Sequence, residues 1–216
     1  MGAFTLATAA PHFPPRTIHV AVVDPGVGSN RRPIAIETNR SLYVGPDNGL
    51  LIPAATGEEI RHVYELTNQS LMRSPISSTF HGRDVFSPIA ANLALGIQPR
   101  EVGREIMDYV ELSFAQAKYE RREFFCEVLH IDEFGNIITN INQKELNELV
   151  DNAKAIVRIG AKSFPARIVQ TFSDLRKGEL GVLVGSHGFL EIVSLEAKAA
   201  TKLRVKIGDA LRVGGA

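Results

Sequence analysis

The sequence predicts two domains of different class, an α/β domain over residues 1–117 and a small all-β, barrel-like domain over residues 118–216. Three observations lead there. The apolar run Thr17 to Val23 ends in a polar loop, and a second polar loop opens an amphipathic helical pattern that stops near Gly96, the alternation of an α/β sheet. Beyond about Ala117 the texture changes to short β-type runs at regular spacing, as in small barrels and sandwiches. Finally, 216 residues, 44% of them hydrophobic, suffice to bury two cores.

Taken in order, Ala3 to Ala10 reads as the last turns of a helix, stopped by Pro11 and then Pro14-Pro15. Thr17 to Val23 reads as a buried strand. A helix followed by such a strand is the second half of a β-α-β crossover, so the first strand and helix of this domain are expected upstream of Met1. Pro33 to Thr38 and Ser41 to Gly45 are short strands around Asn39-Arg40, Pro46 to Gly49 is a turn, and Arg61 to Leu66 is another strand. Ser78 to Gly96 passes from β-type residues through His81-Gly82-Arg83-Asp84 into a helix, with Asp84 or Ser87 as N-cap. The domain boundary falls within Ser113 to Arg122. The second domain then offers strands at Glu123 to Ile131, Asn136 to Ile141, Ala155 to Ile159, Gly181 to Val184, Phe189 to Val193 and Leu203 to Val213, the last broken by Gly208-Asp209. One helix is expected over Gln143 to Val150.

Charge and composition narrow the function. Lysine plus arginine (24) balances aspartate plus glutamate (24), which disfavours nucleic acid or an acidic membrane surface as partner. The one cysteine, Cys126, lies in an apolar run and reads as a core residue in a reducing compartment. No apolar stretch approaches the roughly 20 residues of a membrane-spanning helix, so a cytoplasmic protein is expected.

The chemistry concentrates in the two polar loops, which a sheet would bring to one end. Asp24 follows the first apolar strand. Pro25, Gly26 and Gly28 permit a sharp turn that carries Arg31 back towards it, either as a structural ion pair or as part of a site. Gly26-Val27-Gly28 is no dinucleotide fingerprint, because the third glycine and the following helix are absent, and no Walker lysine occurs. His81 and Asp84, with Asp24 and Asp47, could alternatively ligate a hard metal, although Arg83 separates the first two. His81 could also simply cap the helix it precedes.

Six stretches, VVDPGVGSNRR, VGPDNGLL, SSTFHGRDVFSPIAA, IDEFGNIITNI, VGSHGFLEI and VKIGDALRV, resemble in order and spacing the adenosine-forming S-adenosyl-L-methionine (SAM) hydrolases, the SAM hydroxide adenosyltransferases, relatives of the fluorinase and chlorinase. The resemblance spans nearly the whole chain. It implies an N-terminal α/β domain and a C-terminal barrel-like domain, assembled as a homotrimer with each active site between neighbouring subunits. It implies the reaction of SAM with water to adenosine and L-methionine, with SAM as substrate and neither cofactor nor metal. The family's catalytic aspartate, arginine and histidine fall on Asp24, Arg31 and His81.

For substrate binding, the resemblance places Phe134 and Asn136 at the nucleoside and Asp132 at the methionine end, with Glu133 able to exchange roles with Asp132. Ser186 and His187 match the pair that holds the methionine carboxylate. The halogenating relatives carry tyrosine where Asp24 and His81 stand, and the fluorinase has serine in place of Gly82, so the residues here favour water over halide as nucleophile. Family members begin with a strand and helix bearing a Thr-Asp-Phe-Gly stretch whose Asp grips the ribose hydroxyls, and this chain starts after it. The rival reading is a non-catalytic nucleoside-binding or assembly protein that keeps the fold.

Overall fold

In a computed structural model that describes residues 1–145 and 154–215, the chain divides into two units, Met1–Ser113 and Phe114–Ala216. The first contains α1 (Gly2–Ala9), β1 (Ile18–Val20), β2 (Pro33–Thr38), β3 (Leu42–Pro46), α2 (Ile52–Gly57), β4 (Ile60–Leu66), a single π-helical turn (Gly82–Phe86), α3 (Ser87–Ala94) and β5 (Gly103–Glu105). Its sheet has the order β1-β3-β2-β4-β5. Only β1 and β3 pair in parallel, with Ile18 beside Leu42 and Val20 beside Val44. β2 sits in the middle, and its Ile34, Ala35 and Ile36 are wholly buried. The spacing of Ile89, Ala90 and Leu93 puts the apolar side of α3 against Ala35, Val44 and Leu66.

The second unit contains β6 (Lys118–Glu120), β7 (Glu123–Ile131), β8 (Ile137–Asn142), β9 (Lys154–Ile159), β10 (Lys162–Ile168), β11 (Leu180–Val184), β12 (Phe189–Ser194), α4 (Ala199–Leu203) and β13 (Ala210–Gly215). The strands run β13-β9-β10-β11-β12-β8-β7-β6, and pairing of β13 with β7 closes seven of them into a barrel. Alternate residues of β7, Phe124, Cys126 and Val128, face the core with Val157, Val182, Leu190 and Val213. Burial pushes the Cys126 thiol well above its ordinary pKa, which leaves it an inert core group.

Several elements differ from expectation, each for a physical reason. Regular pairing of the run Thr17 to Val23 covers only Ile18–Val20, and Val20, Val22 and Val23 are exposed. β1 lies at the sheet edge, where a strand has one neighbour and apolar composition does not ensure burial. Neither Asp84 nor Ser87 caps a helix, because the π turn precedes α3 and Asp84 lies inside it. Leu203 to Val213 is not one broken strand. Ala199, Ala200 and Leu203 form a helical plug on the barrel core, Arg204 ends it in the left-handed conformation, and β13 starts only after a turn. β10 escapes sequence reading because Pro165 interrupts it. Proline is tolerated there because that part of β10 pairs with β9 alone, while β11 joins only at Arg167 and Ile168. The helix expected over Gln143 to Val150 lies mostly outside the described residues.

His19 on β1 is buried, stacked on Tyr43 with ring centroids 4.9 Å apart and edge-on to Phe13 at 5.3 Å. Desolvation lowers its pKa below 6.5, opposed by the charge of Glu58. The unfolded chain therefore takes up a proton on acidification before the folded chain does, and stability is lost as pH falls below about 6.5. Melting temperatures of the wild type and His19→Phe between pH 8 and pH 5 check this. The wild-type curve is expected to fall more steeply below about pH 6.5.

Candidate active site

The loop after β1 is wound so that it returns to its own start. Ala21 extends the pairing with β3, its N–H donating to the Val44 carbonyl at 3.1 Å. Two tight turns follow, with the Val27 N–H on the Asp24 carbonyl (3.2 Å) and the Ser29 N–H on the Gly26 carbonyl (3.1 Å). The Ser29 hydroxyl donates to the same Gly26 carbonyl at 2.6 Å and accepts the Arg31 N–H at 3.2 Å. Asn48, in the turn after β3, anchors the loop by donating to the Val23 carbonyl at 2.9 Å.

Arg31 thus meets Asp24 as a two-pronged pair. Its Nε donates to Oδ1 at 3.0 Å and its Nη2 donates to Oδ2. The two side chains retain only 7% and 5% of their exposure, so the pair is removed from water. Breaking a buried pair by deleting one partner typically costs about 3–5 kcal/mol.

The second polar loop brings His81 to the same guanidinium, with His81 Nδ1 3.0 Å from Arg31 Nη2. A guanidinium only donates, so we assign Nδ1 as the acceptor and place the imidazole proton on Nε2. Phe86, at the far end of the π turn, lies beneath the guanidinium, 5.4 Å from ring centroid to guanidinium carbon. One donor group, Arg31 Nη1, is buried with no protein partner among the described residues.

The carboxylates that could have joined His81 in a metal site are each taken by an arginine. Asp24 pairs with Arg31, buried Asp47 with Arg32 at 2.9 Å, and buried Asp84 with Arg83 at 2.7 Å. Among the described residues no group of three or more His, Cys, Asp or Glu could hold a metal ion.

In the second unit, Asp132 and Asn136 close the β7–β8 turn on itself. Asp132 accepts the Asn136 N–H at 2.8 Å and its side-chain amide at 2.9 Å. Gly135, at φ +83°, approaches Lys198 so closely that a Cβ there would lie 2.6 Å from the Lys198 Cβ. Phe134 projects outward, 77% exposed, beside a cleft of about 630 Å³ lined by Glu133, Asn136, Phe172, Ala197 and Lys198 among others.

Ser186 and His187 occupy the β11–β12 turn. His187 accepts the Phe189 N–H on Nδ1 at 3.1 Å and meets Glu191 through Nε2 at 2.9 Å. Since Phe189 aligns with Asn142 and Ile192 with Ile137, this turn and the Asp132–Asn136 turn lie at opposite ends of the β8–β12 ladder. The structure assembles Asp24, Arg31 and His81 in one cluster but does not join the two barrel loops.

Comparison with known proteins identifies the family. The model of the SAM hydroxide adenosyltransferase N-terminal domain matches residues 1–103, and that of its C-terminal domain matches residues 126–212. The chain belongs to the SAM hydroxide adenosyltransferase family. It is 40% identical to an (R)-S-adenosyl-L-methionine hydrolase of Salinispora tropica, over 98% of this chain and 80% of that protein. A fluorinase of an Actinoplanes species is more distant, at 24% identity over 91% of this chain. The crystal structure of an uncharacterized conserved protein from Thermotoga maritima is similar with a TM-score of 0.93 and 36% identity, covering 99% of this chain and 82% of that one.

In this adenosyltransferase-family chain, sequence reasoning missed Phe86, Phe172 and Glu191 as neighbours of the candidate residues. Phe86 reads as helix core. Phe172 is an isolated aromatic in a polar loop, and Glu191 looks like an ordinary strand residue.

Gly28 lets the two polar loops meet. Its φ is +78°, and a Cβ would lie 2.5 Å from the Ser78 carbonyl oxygen, three residues before His81. Gly28→Ala is expected to cost about 1–3 kcal/mol from the left-handed backbone and the steric clash. Urea denaturation measures this, and SAM turnover is expected to fall in the fraction that remains folded.

Proposed function

We propose that this chain hydrolyses SAM to adenosine and L-methionine, and that the buried Asp24–Arg31–His81 cluster is the catalytic centre. The observation that carries the reading is Arg31, which is shared between a carboxylate and an imidazole and keeps one buried donor group free for an acceptor. A structural ion pair would need neither the histidine nor the spare donors.

The chemistry asks little of the leaving group. Water attacks the ribose C5′, the new C–O bond forms as the C–S bond breaks, and the sulfonium leaves with the electron pair as a neutral thioether. Water itself is the weak partner. A single donor, Arg31 Nη1 or the Nε2–H of His81, takes one lone pair of its oxygen and fixes its position, which leaves the other lone pair directed at carbon. Asp24 accepts the proton, since a carboxylate has about four lone-pair sites and Arg31 occupies two. The tautomer thus makes His81 a donor, although its residue type equally suggests a second proton acceptor. Assistance of this kind is worth about 10²–10⁴-fold.

On the barrel, exposed Phe134 and Phe172 beside an apolar cleft suit the purine, which supports the proposed place of Phe134 and Asn136 at the nucleoside. Asp132, with both oxygens occupied by Asn136, supports the turn and leaves Glu133 the freer carboxylate for the methionine end. Ser186 and His187 remain the proposed holders of the methionine carboxylate. A homotrimer is proposed, in which one chain's catalytic cluster faces a neighbour's barrel. The apolar surface left open around the cluster, Val23 at 56% and Phe80 at 55%, supports such a contact. A cytoplasmic location is proposed, as the composition and the single apolar-run cysteine suggest. Among the described residues no helix is long and apolar enough to cross a membrane.

Chromatography is expected to show adenosine and methionine released from SAM, equally with and without a chelator. Asp24→Asn and His81→Ala should each lower turnover by at least about 10²-fold with little change in SAM affinity, because they act on water in the transition state. Arg31→Ala should impair both. Variants that stay folded, bind SAM and retain near-normal single-turnover rates would remove the cluster from catalysis. Light scattering tests the trimer, which a monomer active on SAM would contradict.

A further inference from the structure

The turn that carries His81 is built in an uncommon way. Gly82–Phe86 is a π turn, closed by the Ser87 N–H on the Gly82 carbonyl. A π turn holds one residue more than an α turn, which rotates the preceding residue by about 100° relative to a regular helix. The consequence is specific here. His81 at its start and Phe86 at its end both reach Arg31, one through Nδ1 at 3.0 Å and the other with its ring face at 5.4 Å.

Asp84 lies at the middle of this turn and is completely buried. Its carboxylate accepts from Arg83 Nε at 2.7 Å, from Arg83 Nη2 at 2.9 Å and from the Ser77 N–H at 2.9 Å. Its own backbone carbonyl accepts the Arg73 N–H at 2.9 Å, and its N–H donates to the Phe80 carbonyl at 3.2 Å. One residue therefore ties the incoming segment Arg73–Ser77 to the π turn through both main chain and side chain. Arg83 lies over Phe80 at 4.8 Å, which adds the residue just before His81 to the same assembly. Hydrogen bonding from Arg83, and then from Ser77, holds the carboxyl well below the usual carboxylate range, so it remains charged at every pH at which the enzyme would work.

We propose that Asp84 is a positioning residue for SAM hydrolysis. It contacts none of the catalytic groups, and it sets the π turn that clamps the Arg31 guanidinium between His81 and Phe86. This inference rests on the proposed hydrolysis, and it differs from a purely stabilising role. A stabilising residue changes how much protein is folded. A positioning residue changes the rate of the folded protein, and does so through His81.

The test uses Asp84→Asn and Arg83→Gln. The second variant alters a half-exposed side chain and keeps the test alive if the first does not fold. Both are expected to lower the single-turnover rate of folded protein by about 10-fold or more, with SAM affinity nearly unchanged. In a His81→Ala background the same substitutions should lower the residual rate less than about 2-fold, since the group they position is gone. Side-chain ¹⁵N spectra of the free protein give a readout independent of turnover. The wild type should show His81 fixed as the Nε2–H tautomer, and both variants a mixture of tautomers.

Additive rate losses in the His81→Ala background, or variants with wild-type rates and an unchanged His81 tautomer, would overturn the positioning role. A wild type that shows the tautomer coupling but releases no adenosine from SAM would overturn the proposed function and leave the positioning role standing.

Discussion

The site depends on one property of Arg31, that its guanidinium can only donate hydrogen bonds. Every group placed against it must present lone pairs or a π face. Asp24 does so as a carboxylate, His81 through the bare nitrogen of one tautomer, and Phe86 with its ring. The surrounding architecture serves that requirement. The double turn from Asp24 to Ser29 brings the arginine back to its carboxylate, the π turn brings the imidazole, and Gly28 lets the two loops touch at the Ser78 carbonyl.

Carboxylate–arginine pairing recurs around this centre, and chain direction explains how neighbouring residues serve different pairs. Arg31 and Arg32 are consecutive, yet the first joins Asp24 and the second joins Asp47 and Asp108. Successive side chains in extended backbone point to opposite sides, so one short segment reaches both. Asp47 also accepts the Val110 N–H at 2.8 Å, which ties the last segment of the α/β unit to the strand end that feeds the site. With its negative groups so occupied, the centre presents spare donors, which suits an oxygen nucleophile.

Much of this was legible in the sequence, and the reasons for the remainder are physical. The strands around Asn39-Arg40 could be read because short apolar runs and turn residues agree there. That the loop of Asp24 and Arg31 could meet the loop of His81 was read from their polar character, whereas the grouping of the three residues came from the resemblance to the family, and no strand directly precedes His81. The π turn could not be read, because its residues also fit an ordinary helix start, and the groups that meet buried Asp84, the Arg73 N–H at its backbone carbonyl and the Ser77 N–H at its carboxylate, lie in a preceding loop. The strand through Pro165 was hidden by a residue that is tolerated only because of where the neighbouring strand joins. The tautomer of His81 was also beyond sequence, since it depends on which nitrogen meets the guanidinium. Asp132 and His187 carry the residue types of substrate ligands, but only the structure shows them engaged with Asn136 and Glu191.

The barrel's closing seam has a consequence for how the protein is made. β13 meets β7 at Leu211 and Cys126, 85 positions apart in the chain, whereas the β7–β8 and β11–β12 hairpins can form locally. Loop-closure entropy rises only slowly with length, by about 0.6 kcal/mol per doubling, so the separation costs little at equilibrium. Its effect is kinetic, since long-range pairings form late and slowly. Until β13 docks, β7 and β9 present unpaired edges over an apolar interior that α4 must also plug. The interval before ring closure is therefore when this chain is most open to wrong partners, including the β13 of another copy.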